Sequence, residues 1–400
     1  MPAGNLEKLE YAIRYGADAV YLGVGDFSLR AMRKGELITL ENLSDALGLA
    51  HGLGAKAYVT LNIFAFNNDI KQLEGCIDKF AQAKPDAVII SDFGIFNLVR
   101  KYMPNTPVHV STQTNTLNYE SVKFWRDLGA KRVILARELA ISDIAEIKRQ
   151  VPDIELECFV HGAQCVSFSG RCLLSDYFSH GERKANQGNC SQSCRWSYKL
   201  VEETRPDEYY EICQDGRGSH ILSPKDLCLI KHLPKLIDAG VDSFKIEGRT
   251  KSLYYVSAVA KVYRQAINGA NVDECYNELL KIGNRGYTEG FALGDNNHES
   301  YSYNISKGLA GADFLCEFKE REGDFYLVKV KNKFLLGDEV EIITPSEQFR
   351  ARVEEIKNEQ GENLGLGNTN DDVYMRFSRP PKDYKYALAR TTGVKVGVNV

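Results

Sequence analysis

No apolar run in the sequence approaches the ~18 residues a membrane helix needs, which excludes a helical span. No excess of charge of either sign is present: 50 Lys and Arg stand against 54 Asp and Glu, a formal −4 over 400 residues. Binding to nucleic acid through bulk positive charge is therefore excluded. The HExxH pattern of zinc peptidases, the GxSxG elbow of serine hydrolases and the CxxC pair of a zinc ribbon are also missing, so the usual peptidase machinery and a simple zinc site find no support. The N-terminus, MPAGNLEKLEYAIRYG, is amphipathic and charged rather than a secretory leader. The expectation is a cytoplasmic protein.

What remains is an ordinary globular composition, 44% hydrophobic and 26% charged, with ten cysteines. Seven of these lie between Cys158 and Cys228. A reduced compartment argues against a disulfide framework, and such a cluster points to metal or redox chemistry.

Through about residue 250 the chain alternates helical and strand patterns. Asn5–Gly16 carries apolar residues at helical spacing, and DAVYLGVG then reads as a buried parallel strand. AKAYVTLNIF, DAVIISD, PVHVSTQTN, KRVILARE, IELECFVHG and DSFKIEGR follow as further strands. Several helices end at a glycine just before the next strand, in YGADAV, LGAKAY, LGAKRV and AGVDSF. A serial βα repeat predicts a TIM-type barrel, with a doubly wound or open sheet as the alternative. Seven strands are visible after an opening helix, so a barrel of eight would lack its first strand, with PAGN as the loop that follows it. Residues 163–241 interrupt the repeat with a Ser-, Gly- and Asn-rich segment. The predicted organisation is a barrel over 1–270 bearing this insertion, a linker over 271–311, and a small β-barrel over 312–400, where apolar residues alternate with period two.

Within the insertion, Cys165 and Cys172 are seven apart, Cys190 and Cys194 four apart, and Cys228 lies in SPKDLCLI, read as the start of the helix before the last strand. Loop thiols completed by a distant one suit an iron–sulfur cluster, which needs four soft donors. The set is Cys165, Cys172, Cys190 and Cys228, with Cys194 competing for one place; the opposing reading is that they are small buried apolar residues. The strand ends offer Thr60, Asn62, Ser91, Asp92, Ser111, Thr112, Gln113, Arg137, Glu138, His161, Lys245, Glu247 and Arg249 to a common mouth. Arg30, Arg137 and Arg249 can clamp a dicarboxylate or RNA phosphate, or pair with Asp26, Glu138 and Glu247. His161 is a candidate general acid or base, or a hydrogen-bonded support. Glu157 and Glu247 are candidates for proton transfer, with a structural ion pair as the plainer reading of Glu157.

The segment ECFVHGAQCVSFSGRCLLSDYF closely resembles the signature of the collagenase-like peptidase family U-32. NQGNCSQSCRW, SPKDLCLI, FKIEGRTKSLYYV, NRGYTEGF and NKFLLGDEVE are similar to other motifs of that family, and the likeness spans nearly the whole chain. With its C-terminal barrel the chain is most similar to the branch that hydroxylates tRNA. The resemblance implies a 4Fe–4S cluster on Cys165, Cys172, Cys190 and Cys228. It also implies formation of 5-hydroxyuridine at the wobble position of tRNA, with prephenate rather than O2 as co-substrate. The older description of the family, as peptidases or collagenases, is the alternative.

Overall fold

A computed structural model describes residues 1–24, 27–28, 38–180, 182–183, 185, 189–198, 200–202, 204–210, 219–220, 224–248, 250–294, 300–301 and 309–393. They form two compact units. The first comprises 1–13, 17–251 and 285–308, the second 14–16, 252–284 and 309–400.

The core of the first unit is a parallel sheet of β1 (Pro2–Ala3), β2 (Ala19–Gly23), β3 (Lys56–Leu61), β4 (Ala87–Ile90), β5 (Val108–Val110), β6 (Arg132–Ile134) and β7 (Glu155–Ala163), paired in that order. Helices α1 (Leu6–Arg14), α2 (Leu43–Gly52), α3 (Asn67–Glu74), α4 (Ile77–Ala83), α5 (Phe93–Tyr102), α6 (Tyr119–Asp127) and α7 (Ile141–Gln150) connect the strands. The strands are continuous apolar runs because they are covered on both faces: β4 is buried at all four positions. The helix–glycine–strand unit has a stereochemical cause. Gly54 and Gly129 sit at φ +80° and +86°, where the chain reverses into the strand and a side chain would be strained.

Pro2 and Ala3, expected in a loop after an absent strand, instead pair in parallel with Tyr21 and Leu22. A two-residue edge strand carries no alternation to read, and its first position tolerates proline.

Beyond the point where β6 ends, β7 takes new partners. Here α8 is Leu174–Phe178. In the insertion, β8 (Ser197–Tyr198) pairs with β11 (Ser219–His220), and β9 (Leu200–Glu202) with β10 (Arg205–Tyr210). Strand β12 (Asp226–Cys228) then runs antiparallel to Ala163–His161. Cys228 therefore lies in a strand, not at a helix start. Pairing β12 there satisfies the backbone groups that β7 exposes past β6. Helix α9 (Leu233–Asp238) follows, and β13 (Ser243–Ile246) pairs in parallel with the other edge of β7. The Tyr21 hydroxyl of β2 donates to the Ile246 carbonyl of β13 at 2.8 Å, so the sheet curls until its ends approach.

The second unit carries α10 (Leu253–Ile267), buried at every position from Leu253 to Tyr263, and α11 (Val272–Leu280). Strand β14 (Tyr287–Thr288) belongs to the first unit and extends its sheet beside β12. In the second unit, β15 (Phe314–Glu322), β16 (Phe325–Val330), β18 (Glu339–Ile343), β19 (Gln348–Lys357), β21 (Asp372–Phe377) and β22 (Leu388–Thr391) close an antiparallel barrel. A short ribbon pairs β17 (Phe334–Leu335) with β20 (Leu366–Gly367). Phe318, Tyr326, Val328, Ile342 and Met375 fill the barrel. Among the described residues no helix is long and apolar enough to cross a membrane.

Candidate active site

Strand periodicity directs alternate residues to one face of a sheet. In the curled sheet that face encloses a pocket of roughly 500 Å3, counting its open mouth. Tyr21, Thr60, Ile89, Ile134, Phe159 and Lys245 reach it from β2, β3, β4, β6, β7 and β13. Ser28, Asn62, Ser111, Thr112, Gln113, Arg137 and Glu247 reach it from the segments just beyond strand ends.

The wall is polar but already tied down. Thr60 Oγ1 donates to the Leu22 carbonyl at 3.0 Å and lies 2.7 Å from Ser28 Oγ. Thr112 Oγ1 donates to the Leu135 carbonyl at 3.0 Å, and Asn62 Nδ2 to Ser111 Oγ at 3.3 Å. Such a wall discriminates by shape without rearranging. The Arg137 guanidinium lies 4.0 Å above the Phe159 ring, a stacking geometry that leaves its N–H edge for an anion. The Gln113 carboxamide oxygen is buried without a hydrogen-bond partner, an unmet acceptor on the pocket wall.

Of the residues singled out in the sequence, Thr60, Asn62, Ser111, Thr112, Gln113, Arg137, Lys245 and Glu247 come together here. Arg30 and Arg249 lie outside the described residues, so Arg137 alone represents the three-arginine clamp. Asp92 instead caps α5, accepting from the backbone N–H groups of Gly94 and Ile95. Tyr21, Ser28 and Phe159 were missed. Tyr21 and Phe159 lie inside apolar strands, where only the inward alternation marks them.

Glu157 and His161 do not line the pocket. Glu157 is 2% exposed and accepts from Lys245 Nζ at 2.7 Å, Arg132 at 2.8 Å and Ser243 Oγ at 2.9 Å. Burial opposes its charge, but Lys245 and Arg132 outweigh it and hold the carboxyl at about 2. A carboxylate this acidic does not exchange protons near neutrality. The ion-pair reading is the one the geometry supports, and Glu157 orients Lys245 at the pocket floor. His161, 1% exposed, is lowered to about 3 by burial and by Lys251, and its ring packs against Tyr287. A neutral imidazole there is neither an acid nor an effective base at neutral pH. Glu247 does reach the pocket, held by its backbone N–H to the His161 carbonyl at 2.8 Å.

The cysteine loop adjoins this pocket. Asn115 Nδ2 donates to the Ser169 carbonyl at 3.5 Å, and Arg171 lies 4.8 Å over the Phe64 ring. Gly170 packs so closely on Gln113 that a Cβ would overlap its carboxamide oxygen. Cys165 and Cys190 reach the surface, Cys172 and Cys194 are half-buried, and Cys228 is buried in β12. Burial around the Cys165 sulfur raises its pKa, the Ser167 N–H and Arg137 lower it, and Cys172 and Cys190 raise it. These three thiols therefore feel one another. Among the described residues, however, no group of three or more Cys, His, Asp or Glu is placed to hold a metal ion. The donor type is the one an iron–sulfur cluster takes.

Residues 4–302 match the profile of peptidase family U32, and residues 311–390 that of the peptidase family U32 C-terminal domain. The chain is 40% identical to tRNA hydroxylation protein P of Haemophilus influenzae, over 97% of this chain and 94% of that one. It is 38% identical to tRNA hydroxylation protein P1 of Bacillus subtilis, over 97% and 93%. It is also 32% identical to a Porphyromonas gingivalis protein named collagenase, over 90% and 89%.

Proposed function

The chain belongs to peptidase family U32, and from that membership we propose that it is an enzyme that hydroxylates tRNA, converting the wobble uridine to 5-hydroxyuridine. The observation that carries this reading is near-full-length similarity, at about 40% identity, to proteins named for tRNA hydroxylation. The pocket supports it. Its aromatic residues, Tyr21 and Phe159, and its fixed polar wall suit an extruded pyrimidine. We take the curled sheet to be a TIM-type (β/α) barrel with its active site at the strand C-terminal ends.

Replacing a C–H bond by C–OH is a two-electron oxidation, which protein side chains alone do not accomplish. We therefore propose a 4Fe–4S cluster on Cys165, Cys172, Cys190 and Cys228, with Cys194 the alternative for one place; when bound it would pass the two electrons singly to an external electron acceptor, the hydroxyl oxygen coming from water or the co-substrate. Prephenate is the proposed co-substrate, and a small dicarboxylate of this kind fits Arg137 above Phe159. Peptidase activity is the second reading. It rests on the collagenase-named relative.

The test is nucleoside mass spectrometry of tRNA from a strain lacking this chain. Loss of 5-hydroxyuridine, restored by the wild-type gene, is expected; an unchanged level sinks the proposal. Cleavage of gelatin by the purified protein would favour the peptidase reading. Iron and sulfide in anaerobically purified protein, lost in Cys172→Ala, test the cluster separately.

A further inference from the structure

We propose that Tyr177, Phe178 and Trp196, on the cysteine-rich insertion, form a stacking platform for unpaired RNA bases; this rests on the tRNA reading above. Tyr177 is 76% and Trp196 44% exposed. A contiguous patch of exposed rings is a recurrent mark of an interaction surface. They are also not scattered. The Tyr177 and Phe178 rings lie 5.2 Å apart, and Phe178 and Trp196 6.2 Å apart, although Trp196 is remote in sequence.

Hydrogen bonds hold this array in place. Ser175 Oγ of α8 donates to the Arg183 carbonyl at 2.6 Å, and the Ser191 N–H donates to Ser175 Oγ at 2.7 Å. These bonds tie α8 to the segment that returns toward Trp196, so the rings are presented on a fixed frame.

The occupant follows from charge and position. The chain as a whole is acidic, at −4. Residues 163–199 nevertheless carry five Lys and Arg against two Asp and Glu, a local reversal that suits a phosphate backbone. Interleaved rings and cations are the pattern of single-strand binding, in which each base offers a π face whatever its identity. The same segment lies against the pocket through Gly170 on Gln113 and Asn115 on Ser169. A loop of RNA stacked on the rings is thereby led to the site of chemistry.

The experiment is fluorescence anisotropy with a labelled single-stranded, uridine-rich RNA oligonucleotide and the full chain at fixed salt. Tyr177→Ala and Trp196→Ala are each expected to weaken binding about fivefold or more. Tyr177→Phe keeps the ring, and Phe124→Ala removes an exposed ring on α6; both are expected to stay within about twofold of wild type. If wild type binds and the two alanine variants bind equally well, the platform is refuted while the tRNA reading stands. If wild type binds anionic vesicles but no RNA, the tRNA reading falls and the platform with it.

Discussion

Glu157→Gln is the sharpest perturbation of the pocket floor, because it changes one charge and almost no volume. In the native state that charge faces Lys245 and Arg132, whose side chains are 8% and 11% exposed. Neutralising Glu157 leaves Lys245 without the carboxylate it bonds, while Arg132 keeps Glu155, and breaking a buried pair in this way costs about 3–5 kcal/mol. Proton linkage gives an independent figure. The native carboxyl lies at about 2 against an ordinary 4.5, a depression worth about 3 kcal/mol. Because the folded value is the lower one, this stabilisation is fully present above pH ~4.5 and is lost as pH falls toward 2. Both tryptophans, Trp125 and Trp196, lie in the first unit, so tryptophan fluorescence during urea unfolding reports on that unit. The expected result is a variant weaker by about 3 kcal/mol at pH 7, with a flatter decline between pH 5 and 2 than wild type. A variant within about 1 kcal/mol of wild type at pH 7, with the same acid limb, refutes the claim that Glu157 is a structural anion.

Arg137→Ala is expected to lower kcat/KM for the proposed dicarboxylate co-substrate roughly tenfold or more, with Arg137→Lys recovering only part because it loses the planar fork. Hydroxylation assays at varied co-substrate concentration check this. Gly162 sits at φ +107° with the Glu247 carbonyl in the space a Cβ would fill, so Gly162→Ala should destabilise the first unit by about 2 kcal/mol or more, read by the same urea titration. In the second unit, Arg390 is 1% exposed and bonded to Glu341, Glu278 and the Tyr254 hydroxyl. Arg390→Met should cost about 3 kcal/mol by removing the buried one of the two cations, Arg390 and Lys281, that Glu278 and Glu341 share, seen as a lowered calorimetric transition.

What the sequence displayed, and what it hid, follow one physical division. The parallel strands were legible because burial on both faces demands unbroken apolar runs, and the helix ends because a left-handed residue selects glycine. Lys84 shows the limit of that second signal: it takes φ 54° at the end of α4, and AKPDAV carries no glycine to announce it. Pro2–Ala3 and Asp226–Cys228 were not legible as strands, since each is made a strand by a neighbour supplied from elsewhere in the chain. The site divides in the same way. Arg137, Lys245 and Glu247 could be nominated because polar residues at strand ends have few structural reasons to be there. Whether a nominated residue acts or merely balances charge depends on what faces it across the sheet. Glu157 lies on β7 and Glu247 just past the end of the neighbouring β13, and the two look equivalent in sequence. Two cations close over the first, and the second reaches the wall of the pocket. Only the register of β7 against β6 and β13, which sets Glu157 beside Ile134 and Ser243, separates an anchor from a candidate participant in the chemistry.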